Sequence, residues 1–382
     1  MIDLATYGRS ANVARPIVAR VTSQDAPPSD RNDLVLVTDS WPKGRESGYR
    51  AVVTTASADS LLCVPCIHST RQISHLKDGD IIALHASGHV RTLFRKESLH
   101  NALLATERCN SFCLMCSQPP IDRDDSELTA RNVEAIRLMR PAPAALGITG
   151  GEPTLLGANL FRIFEAIREN LPATDIHMLT NGRRFAWPDF TEAFVDARPK
   201  RLRVGIPLYS NVASEHDYVV QARSAFDQTV QGLHQLARHD HPIELRVVVH
   251  ALTVPRLKAV AEFIYRNLPF AEHVTFMGLE ITGFTRPNLE ILWVDPYDYQ
   301  WELAEAVEFL GVRGMNVSIY NHPLCVLPPN VWKFARKSIS DWKNLYLPCC
   351  ESCDLRARCG GLFQSSLRRH SSHIHPPPAI ST

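Results

Sequence analysis

The stretch C-N-S-F-C-L-M-C, residues 109–116, organises the rest of the sequence. Its three cysteines have the spacing C-x3-C-x2-C and follow an apolar run at residues 102–105. Thiolates held this close together favour a soft metal centre, and a cubane iron-sulfur cluster normally takes four cysteine ligands. With three ligands, one iron keeps an open coordination site for a small molecule. A zinc knuckle or a buried thiol cluster is the alternative interpretation of this spacing alone.

A second motif, I-T-G-G-E-P at residues 148–153, follows an apolar strand-like run. Its two glycines let the backbone approach a ligand closely, because they carry no Cβ. Taken alone, the string is compatible with an ordinary turn. Its position after the cysteine stretch makes a shared binding site the stronger interpretation.

The composition is typical of a soluble globular protein, with 382 residues that are 45% hydrophobic and 21% charged. Lys and Arg number 41 against 40 for Asp and Glu, so the charge balance indicates neither a nucleic-acid partner nor an anionic membrane. We find no signal peptide and no apolar stretch of transmembrane length, which predicts a cytoplasmic location. In that reducing compartment, ten cysteines indicate metal ligation or catalysis and not disulfides.

Residues 1–100 contain short β-like runs separated by proline and glycine turns, and we expect a small β-rich accessory domain there. Cys63 and Cys66 in this region have the spacing of a metal clip or a redox pair. No second pair is identifiable beside them in the sequence, so we interpret them as two thiols near a strand end. The predicted strands are 33–38, 50–55 and 80–84.

Residues 101 to about 279 alternate strand-like and helix-like segments, which predicts parallel βα units, and we expect the domain built from them to span 101–310. Apolar residues at helical spacing mark two of the helices, over 226–237 and 257–268. Six such units are too few to close an eight-stranded barrel. In βα barrels the reactive groups lie on loops at the strand carboxyl ends, which is where both motifs fall. The predicted strands are 103–106, 145–149, 175–180, 201–208, 243–250 and 273–279.

The cysteine stretch and the Gly-Gly-Glu-Pro element together resemble the signature of the radical S-adenosylmethionine (radical SAM) superfamily. The resemblance implies an α/β fold, a partial (β/α)6 barrel with the cluster loop after its first strand. It also implies a [4Fe-4S] cluster on Cys109, Cys113 and Cys116, whose open iron binds S-adenosylmethionine. Such enzymes cleave this cofactor reductively to a 5'-deoxyadenosyl radical, which abstracts a substrate hydrogen.

The same resemblance suggests which other residues contact the cofactor. Gly150, Gly151 and Glu152 match the element that binds the methionine amino group, with Glu152 as its charge partner. Ser210 follows the fourth strand, where relatives often hold the ribose hydroxyls, although the local sequence departs from their pattern. Arg246 on the fifth strand is a candidate partner for the cofactor carboxylate, and a salt bridge elsewhere is the alternative.

The C-terminal region contains a second group of cysteines. A helix is expected after Asp295-Pro296, ending near Gly311, and a different kind of segment, 311–364, follows it. Its thiols resemble the auxiliary-cluster (twitch or SPASM-like) extensions of radical SAM peptide maturases, which implies a second [4Fe-4S] cluster. Tetrahedral zinc is the alternative, and spacing alone does not decide whether Cys349 or its neighbour ligates. The predicted ligands are Cys325, Cys350, Cys353 and Cys359.

The sequence also resembles a narrower family, the C-type radical SAM maturases of His-Xaa-Ser peptide systems (HxsC type). The resemblance covers residues 100–365 and implies a ribosomally made His-Xaa-Ser repeat precursor peptide as substrate. It further implies a second radical SAM maturase as partner and an electron donor such as flavodoxin or ferredoxin. The runs that carry it are 113–120, 276–280, 320–325 and 338–344.

Two other functions remain compatible with the sequence. One is a radical SAM enzyme that acts on a small molecule such as a nucleotide. The other is a non-enzymatic binding protein whose thiols hold zinc. The tail, 365–382, lacks apolar periodicity and is predicted to be disordered, and its single His-Xaa-Ser string at 370–372 is interpreted as accidental.

Overall fold

The structure is a computed structural model, which describes residues 4–42, 46–57 and 64–377. Two eight-stranded sheets contain most of the regular structure, one near the N-terminus and one in the middle of the chain. Among the described residues, no helix combines the length and apolar character needed to cross a membrane.

The N-terminal sheet confirms the predicted β-rich region. Its strands are β1 (Ala5–Tyr7), β2 (Arg9–Ala11), β3 (Ile17–Thr22), β4 (Leu34–Thr38), β5 (Ala51–Thr54), β6 (Cys66–His68), β7 (Ile81–Leu84) and β8 (His89–Phe94). β1 pairs with β8 at one edge and β2 pairs with β6 at the other, although only Gly8 separates β1 from β2. A Cβ on Gly8 would lie 2.5 Å from the His68 carbonyl oxygen. This short segment therefore joins both edges and closes the sheet on itself.

Of the two N-terminal cysteines, only Cys66 lies in the part of the chain that the structure describes. Cys66 lies in β6 and is buried. Burial raises the pKa of its thiol, an effect that a backbone hydrogen bond with Ala11 opposes. Cys63 lies outside the described residues, so the interpretation of the two as thiols near a strand end stays a prediction.

The central sheet consists of parallel strands hydrogen-bonded in chain order, and it confirms the α/β partial-barrel fold. The strands are β9 (Ala102–Leu104), β10 (Ala145–Thr149), β11 (Asp175–Leu179), β12 (Leu202–Pro207), β13 (Ile243–Val249), β14 (His273–Gly278), β15 (Val317–Tyr320) and β16 (Ala335–Arg336). Over the described ranges β9 does not pair with β16, so the barrel stays open. A separate two-stranded sheet pairs β17 (Asn344–Leu345) with β18 (Leu362–Phe363).

Helices connect the strands of the central sheet, and most of them pack against it. They are α1 (Glu127–Leu138), α2 (Ala158–Asn170), α3 (Pro188–Ala197), α4 (Ala213–Val220), α5 (Ala225–Arg238), α6 (Leu257–Asn267), α7 (Leu289–Leu292) and α8 (Gln300–Gly311). Their apolar faces pack on the strands as the sequence spacing predicts, and Leu233 and Leu236 of α5 are both fully buried. Burying one such leucine stabilises the fold by about 2 kcal/mol.

Two boundaries differ from the sequence-based expectation. β15 and β16 lengthen the sheet to eight strands. The sequence does not predict them, because strands this short show no hydrophobic period. The helix expected after Asp295 begins later, at Gln300. The Asp295 carboxylate accepts a hydrogen bond from the Tyr297 N–H at 2.9 Å, which forms a turn before the helix.

The tail does not match the prediction of disorder. Residues up to 377 are described, and Ser371 and Ile374 are buried. The His373 ring stacks on Tyr297 with centroids 3.8 Å apart. The prediction is therefore wrong for 365–377, because aromatic stacking and one buried apolar side chain anchor a segment whose average composition is polar. Residues 378–382 lie outside the described part.

Buried histidines predict a loss of stability in mild acid. His241 is 3% exposed, and neither ring nitrogen has a hydrogen-bond partner. Burial, together with the charge of Arg198, lowers the pKa of His241 from 6.5 to about 3. Below pH 6.5 His241 is therefore protonated in the unfolded chain but stays neutral in the folded protein. The free energy of unfolding consequently falls as the pH falls from 6.5 towards 3.

We expect His241→Phe to reduce that pH dependence by up to about 1.4 kcal/mol per pH unit below pH 6.5, because one proton-binding group is removed. Phenylalanine keeps the edge contact that His241 makes with the Phe194 ring. Urea unfolding between pH 7.5 and 5 measures the slope, with the same substitution at exposed His234 as the control. An unchanged slope would show that His241 is not the group involved.

Candidate functional site

The loop after β9 holds the three N-terminal cysteines in a fixed backbone conformation. The Leu114 N–H donates to the Val219 carbonyl oxygen at 2.9 Å, and the Phe284 N–H donates to the Cys116 carbonyl oxygen at 2.8 Å. The first bond ties the loop to α4, and the second ties it to the segment after β14. The fold itself therefore positions these thiols.

All three thiols line one cavity of about 710 Å³ at the carboxyl ends of the central strands. Burial raises the pKa of Cys109 to about 11, and the negative charge of Glu152 adds to the effect. Burial, with the charges of Cys116 and Cys109, raises the pKa of Cys113 to about 12. Three thiolates are therefore unfavourable here without added positive charge, which iron ions supply. This donor set fits an iron-sulfur cluster.

Gly150 and Gly151 line the same cavity and also contact the cysteine loop. The Gly151 N–H donates to the Thr106 carbonyl oxygen at 2.8 Å. A Cβ on Gly151 would lie 2.0 Å from the Arg108 carbonyl oxygen. Sequence reasoning assigned these glycines to close approach by a ligand. In the structure the backbone that leads into Cys109 already requires Gly151.

The Glu152 carboxylate is 1% exposed and is not part of the cavity lining. Oε1 accepts hydrogen bonds from the Thr154 N–H at 3.0 Å and from the Thr154 and Thr180 hydroxyls at 2.6 and 2.7 Å. Oε2 accepts from the Asn181 N–H at 2.6 Å. These bonds join the loops after β10 and β11. The carboxylate is thus engaged within the protein, and this geometry gives no support to a direct charge contact with the cofactor amino group.

We expect Glu152→Gln to destabilise the protein by about 2 kcal/mol. Glutamine replaces one acceptor oxygen with an NH2 donor, which would face the Asn181 N–H or the Thr180 hydroxyl in a buried site. Urea unfolding measures the loss, and Glu165→Gln on the exposed side of α2 is the control. A change of less than about 0.5 kcal/mol, the range of ordinary surface substitutions, would contradict the assigned role.

Ser210 is buried and does not line the cavity. Its hydroxyl donates to Glu215 Oε2 at 2.5 Å and accepts from the Val212 N–H at 3.0 Å. Both bonds serve the start of α4, which explains why a small hydroxyl residue occupies this position. The structure therefore gives the predicted ribose contact no support.

Arg246 lines the cavity, and its guanidinium Nη1 lies 2.5 Å from Glu244 Oε1. Glu244 Oε2 lies 3.1 Å from His273 Nδ1. Burial alone would raise the pKa of Glu244, but the His273 hydrogen bond and the charge of Arg246 outweigh it and hold the pKa at about 2. Arg246 therefore already has a carboxylate partner, as in the alternative that the sequence left open. A contact with the cofactor carboxylate would have to use its remaining N–H groups.

Sequence reasoning missed two polar residues in the cavity. Tyr209 is buried, and burial together with the charge of Cys113 raises the pKa of its hydroxyl, which therefore keeps its proton. The Asn181 side chain donates to Asn110 Oδ1 at 2.6 Å. Asn181 follows β11 and Tyr209 follows β12. Because the reactive groups of βα barrels lie on the loops after the strands, their positions in the sequence are a signal for both residues. Tyr209 lines the cavity, whereas the adjacent Ser210 does not.

Segments outside the central strands complete the cavity walls. One wall comes from β8 of the N-terminal sheet, and another comes from residues 338–343. Arg95 joins the two walls through an ion pair with Asp341, whose atoms are 2.8 Å apart. The cavity is thus shared by three parts of the chain.

The C-terminal cysteines meet around a second, smaller cavity, which is lined by Cys325, Cys350, Cys353 and Cys359. The Leu324 and Gly361 N–H groups donate to Cys359 Sγ at 3.4 and 3.5 Å. Burial, reinforced by the charge of Cys359, raises the pKa of Cys325 to about 12. Backbone donors to sulfur and crowded buried thiols again fit a polynuclear iron-sulfur centre.

Cys349 differs from its neighbour Cys350. It is exposed, it is not part of the cavity lining, and its Sγ lies 3.4 Å from the Ile374 carbonyl oxygen. Of the two adjacent thiols, Cys350 is therefore the one that faces the other three. Spacing in the sequence could not distinguish them.

Neither set of thiols has the geometry of a single-ion site. In the described part of the chain, no three His, Cys, Asp or Glu side chains are grouped so that they could hold one metal ion. Tetrahedral zinc needs every sulfur at about 2.3 Å from one point. In a cubane each thiolate binds a different iron, so the ligands surround a larger volume.

Residues 103–264 match the family model of the Radical SAM superfamily. They run from β9 through α6 and include the cysteine loop, both glycines and Arg246. This part of the chain is a Radical SAM superfamily domain. No curated protein sequence matches the chain.

Among solved structures, the chain is similar to native anSMEcpe with bound AdoMet, at 17% identity and a TM-score of 0.44, over 57% of this chain and 62% of that one. It is similar to Streptococcus suis SuiB bound to S-adenosylmethionine at 14% identity and a TM-score of 0.43, over 58% and 46% of the two chains. A radical SAM methyltransferase from Sphaerobacter thermophilus matches at 13% identity and a TM-score of 0.44, over 66% and 75%. The chain thus spans less than two thirds of the length of anSMEcpe.

Proposed function

Starting from its Radical SAM superfamily domain, we propose that this protein cleaves S-adenosylmethionine reductively at a [4Fe-4S] cluster held by Cys109, Cys113 and Cys116. One observation carries the proposal. The three thiols and the Gly150-Gly151 backbone line the same cavity, so a cluster and a molecule bound to its open iron would share one space.

The protein residues have distinct tasks in this proposal. The cysteines hold the cluster, and Gly151 lets the second loop approach close enough to face it. Glu152 fixes that loop to the Asn181 backbone. Tyr209, buried beside Cys113, keeps a protonated hydroxyl in the cavity. When bound, the cluster supplies the electron for cofactor cleavage, while the protein supplies orientation and excludes water.

We further propose a peptide substrate, a ribosomally made precursor with His-Xaa-Ser repeats. The support is the resemblance to the HxsC-type maturases, together with the location of the runs that carry it. Residues from all four of these runs, 113–120, 276–280, 320–325 and 338–344, line the cavity. A peptide substrate agrees with a cavity whose walls come from three parts of the chain.

The C-terminal thiols would hold a second [4Fe-4S] cluster, on Cys325, Cys350, Cys353 and Cys359. The support is their common cavity and the N–H groups that donate to Cys359. With four cysteines, every iron of this cluster would have a protein ligand, which suits electron transfer or bracing more than substrate binding. An external electron donor such as flavodoxin or ferredoxin completes the proposal.

Anaerobic reconstitution tests the proposed function. The protein is loaded with iron and sulfide, reduced with dithionite and given S-adenosylmethionine, and 5'-deoxyadenosine is measured. Co-expression with a His-Xaa-Ser repeat peptide, followed by peptide mass analysis, tests the substrate. We expect both 5'-deoxyadenosine and a mass change in the peptide. An intact cluster spectrum without 5'-deoxyadenosine would refute the activity, and cofactor cleavage with an unmodified peptide would refute only the substrate.

A further inference from the structure

The C-terminal tail is attached to the protein by several independent contacts. The Arg369 guanidinium lies 4.0 Å from the centre of the Trp293 ring. The His373 ring stacks on Tyr297 with an interplanar angle of 8°. Ile374 is 8% exposed. Contacts of three chemical types within six residues hold the tail in one position.

The attached tail covers the four-thiol cavity. Ile374, His375, Pro376 and Pro377 line it together with the cysteines. The backbone of His375 also hydrogen-bonds the Cys325 thiol. Two prolines and one buried isoleucine form a stiff, apolar wall, which keeps water away from sulfur atoms more effectively than a polar loop.

A wall of this kind affects a metal centre in two ways. Hydrogen bonds from backbone N–H groups to ligand sulfurs stabilise the thiolate form, and an apolar cover controls solvent access to the metal. Solvent access also sets how fast a chelator reaches the iron. The tail residues contact the cavity without supplying a thiolate, so their contribution is separable from ligation itself.

We propose that residues 369–377 are an integral part of the C-terminal metal site, a strap that retains its cluster and shields it from solvent and chelators. This inference rests on the proposed assignment of a cluster to the C-terminal cysteines. The strap is anchored at Trp293 and Tyr297, which precede α8, so the site depends on a segment far from its ligands in sequence.

The test uses the 382-residue chain with Cys113→Ser, in which the remaining iron belongs to the C-terminal site. The strap is loosened by His373→Ala with Ile374→Ser, and the control is Leu367→Ser, because Leu367 is 53% exposed and lies outside both cavities. After anaerobic loading, iron release to a chelator is followed by absorbance. We expect release from the strap variant to be faster than from the control by about tenfold or more, with unchanged far-ultraviolet circular dichroism.

Each outcome decides one statement. If the strap variant and the Leu367→Ser control are both fully loaded and release iron at equal rates, the role of the strap is wrong. The assignment of the cluster is not affected by that result. Absence of iron and sulfide from the parent Cys113→Ser protein would overturn the C-terminal cluster and, with it, this inference. A strap variant that loads normally in the presence of excess iron but loses it rapidly would support the strap as a retaining element.

Discussion

We expect Cys113→Ser to remove the proposed N-terminal cluster and to lower S-adenosylmethionine cleavage by about two orders of magnitude or more, because the proposed cleavage needs the electron that this cluster supplies. Cys113 has the most strongly raised thiol pKa of the trio, since it is buried and faces the charges of both other sulfurs. A hydroxyl at this position is a poor iron ligand. Iron and sulfide analysis measures the loss, and 5'-deoxyadenosine formation measures the activity.

Two matched variants complete the experiment. Cys353→Ser should remove the C-terminal cluster and keep cofactor cleavage, because Cys353 lines only the second cavity. Cys349→Ser should change neither, since this thiol is exposed and outside both cavities. Each single-cluster variant should lose about four irons per chain. Full iron content in Cys113→Ser protein would refute the assignment of the N-terminal ligands.

Gly151→Ala is expected to destabilise the protein by about 3 kcal/mol and to prevent loading of the N-terminal cluster. The new Cβ would lie 2.0 Å from the Arg108 carbonyl oxygen and 2.5 Å from its carbonyl carbon. A backbone group cannot rotate away as a flexible side chain can, so one of the two loops must move. Movement of Arg108 displaces Cys109, the next residue.

Gly157→Ala is the matched control for this variant. A Cβ at Gly157 meets nothing within 4 Å, and its φ of +56° makes backbone strain the dominant cost. That strain is worth about 1 to 3 kcal/mol, so iron content separates the two variants more clearly than stability does. Urea unfolding compares the two variants, and iron content reports on the cysteine loop. A Gly151→Ala protein that loads iron normally would show that the two loops are not as tightly coupled as their contact suggests.

The sequence predicts those parts of the fold in which local pattern and tertiary environment agree. Buried aliphatic residues mark β10, at Leu146 and Ile148, and β13, at Leu245, Val247 and Val249, and such residues are visible without a structure. The cysteine and glycine motifs were equally visible, since their chemistry depends on spacing along the chain. The strands β15 and β16 were not, because pairing with a neighbouring strand, and not local pattern, defines them.

Side-chain roles were harder to predict than positions. Glu152 and Ser210 lie on the expected loops. The Glu152 carboxylate and the Ser210 hydroxyl are nevertheless hydrogen-bonded to other groups of the protein. The Thr180 partner of Glu152 is 28 residues away along the chain, and no sequence pattern announces such a contact. The tail was misjudged for the same reason, because Tyr297 and Trp293, which hold it, lie far upstream.

The match to the Radical SAM family model ends at residue 264, but residues on both sides of the matched range also line the cavity. β8 comes from before the domain, and residues 338–343 come from after it. The segments that line the cavity from outside the matched range therefore help to determine which molecules can enter it. Substitutions in these flanking segments can therefore alter the cavity walls without touching the cysteine loop at 109–116.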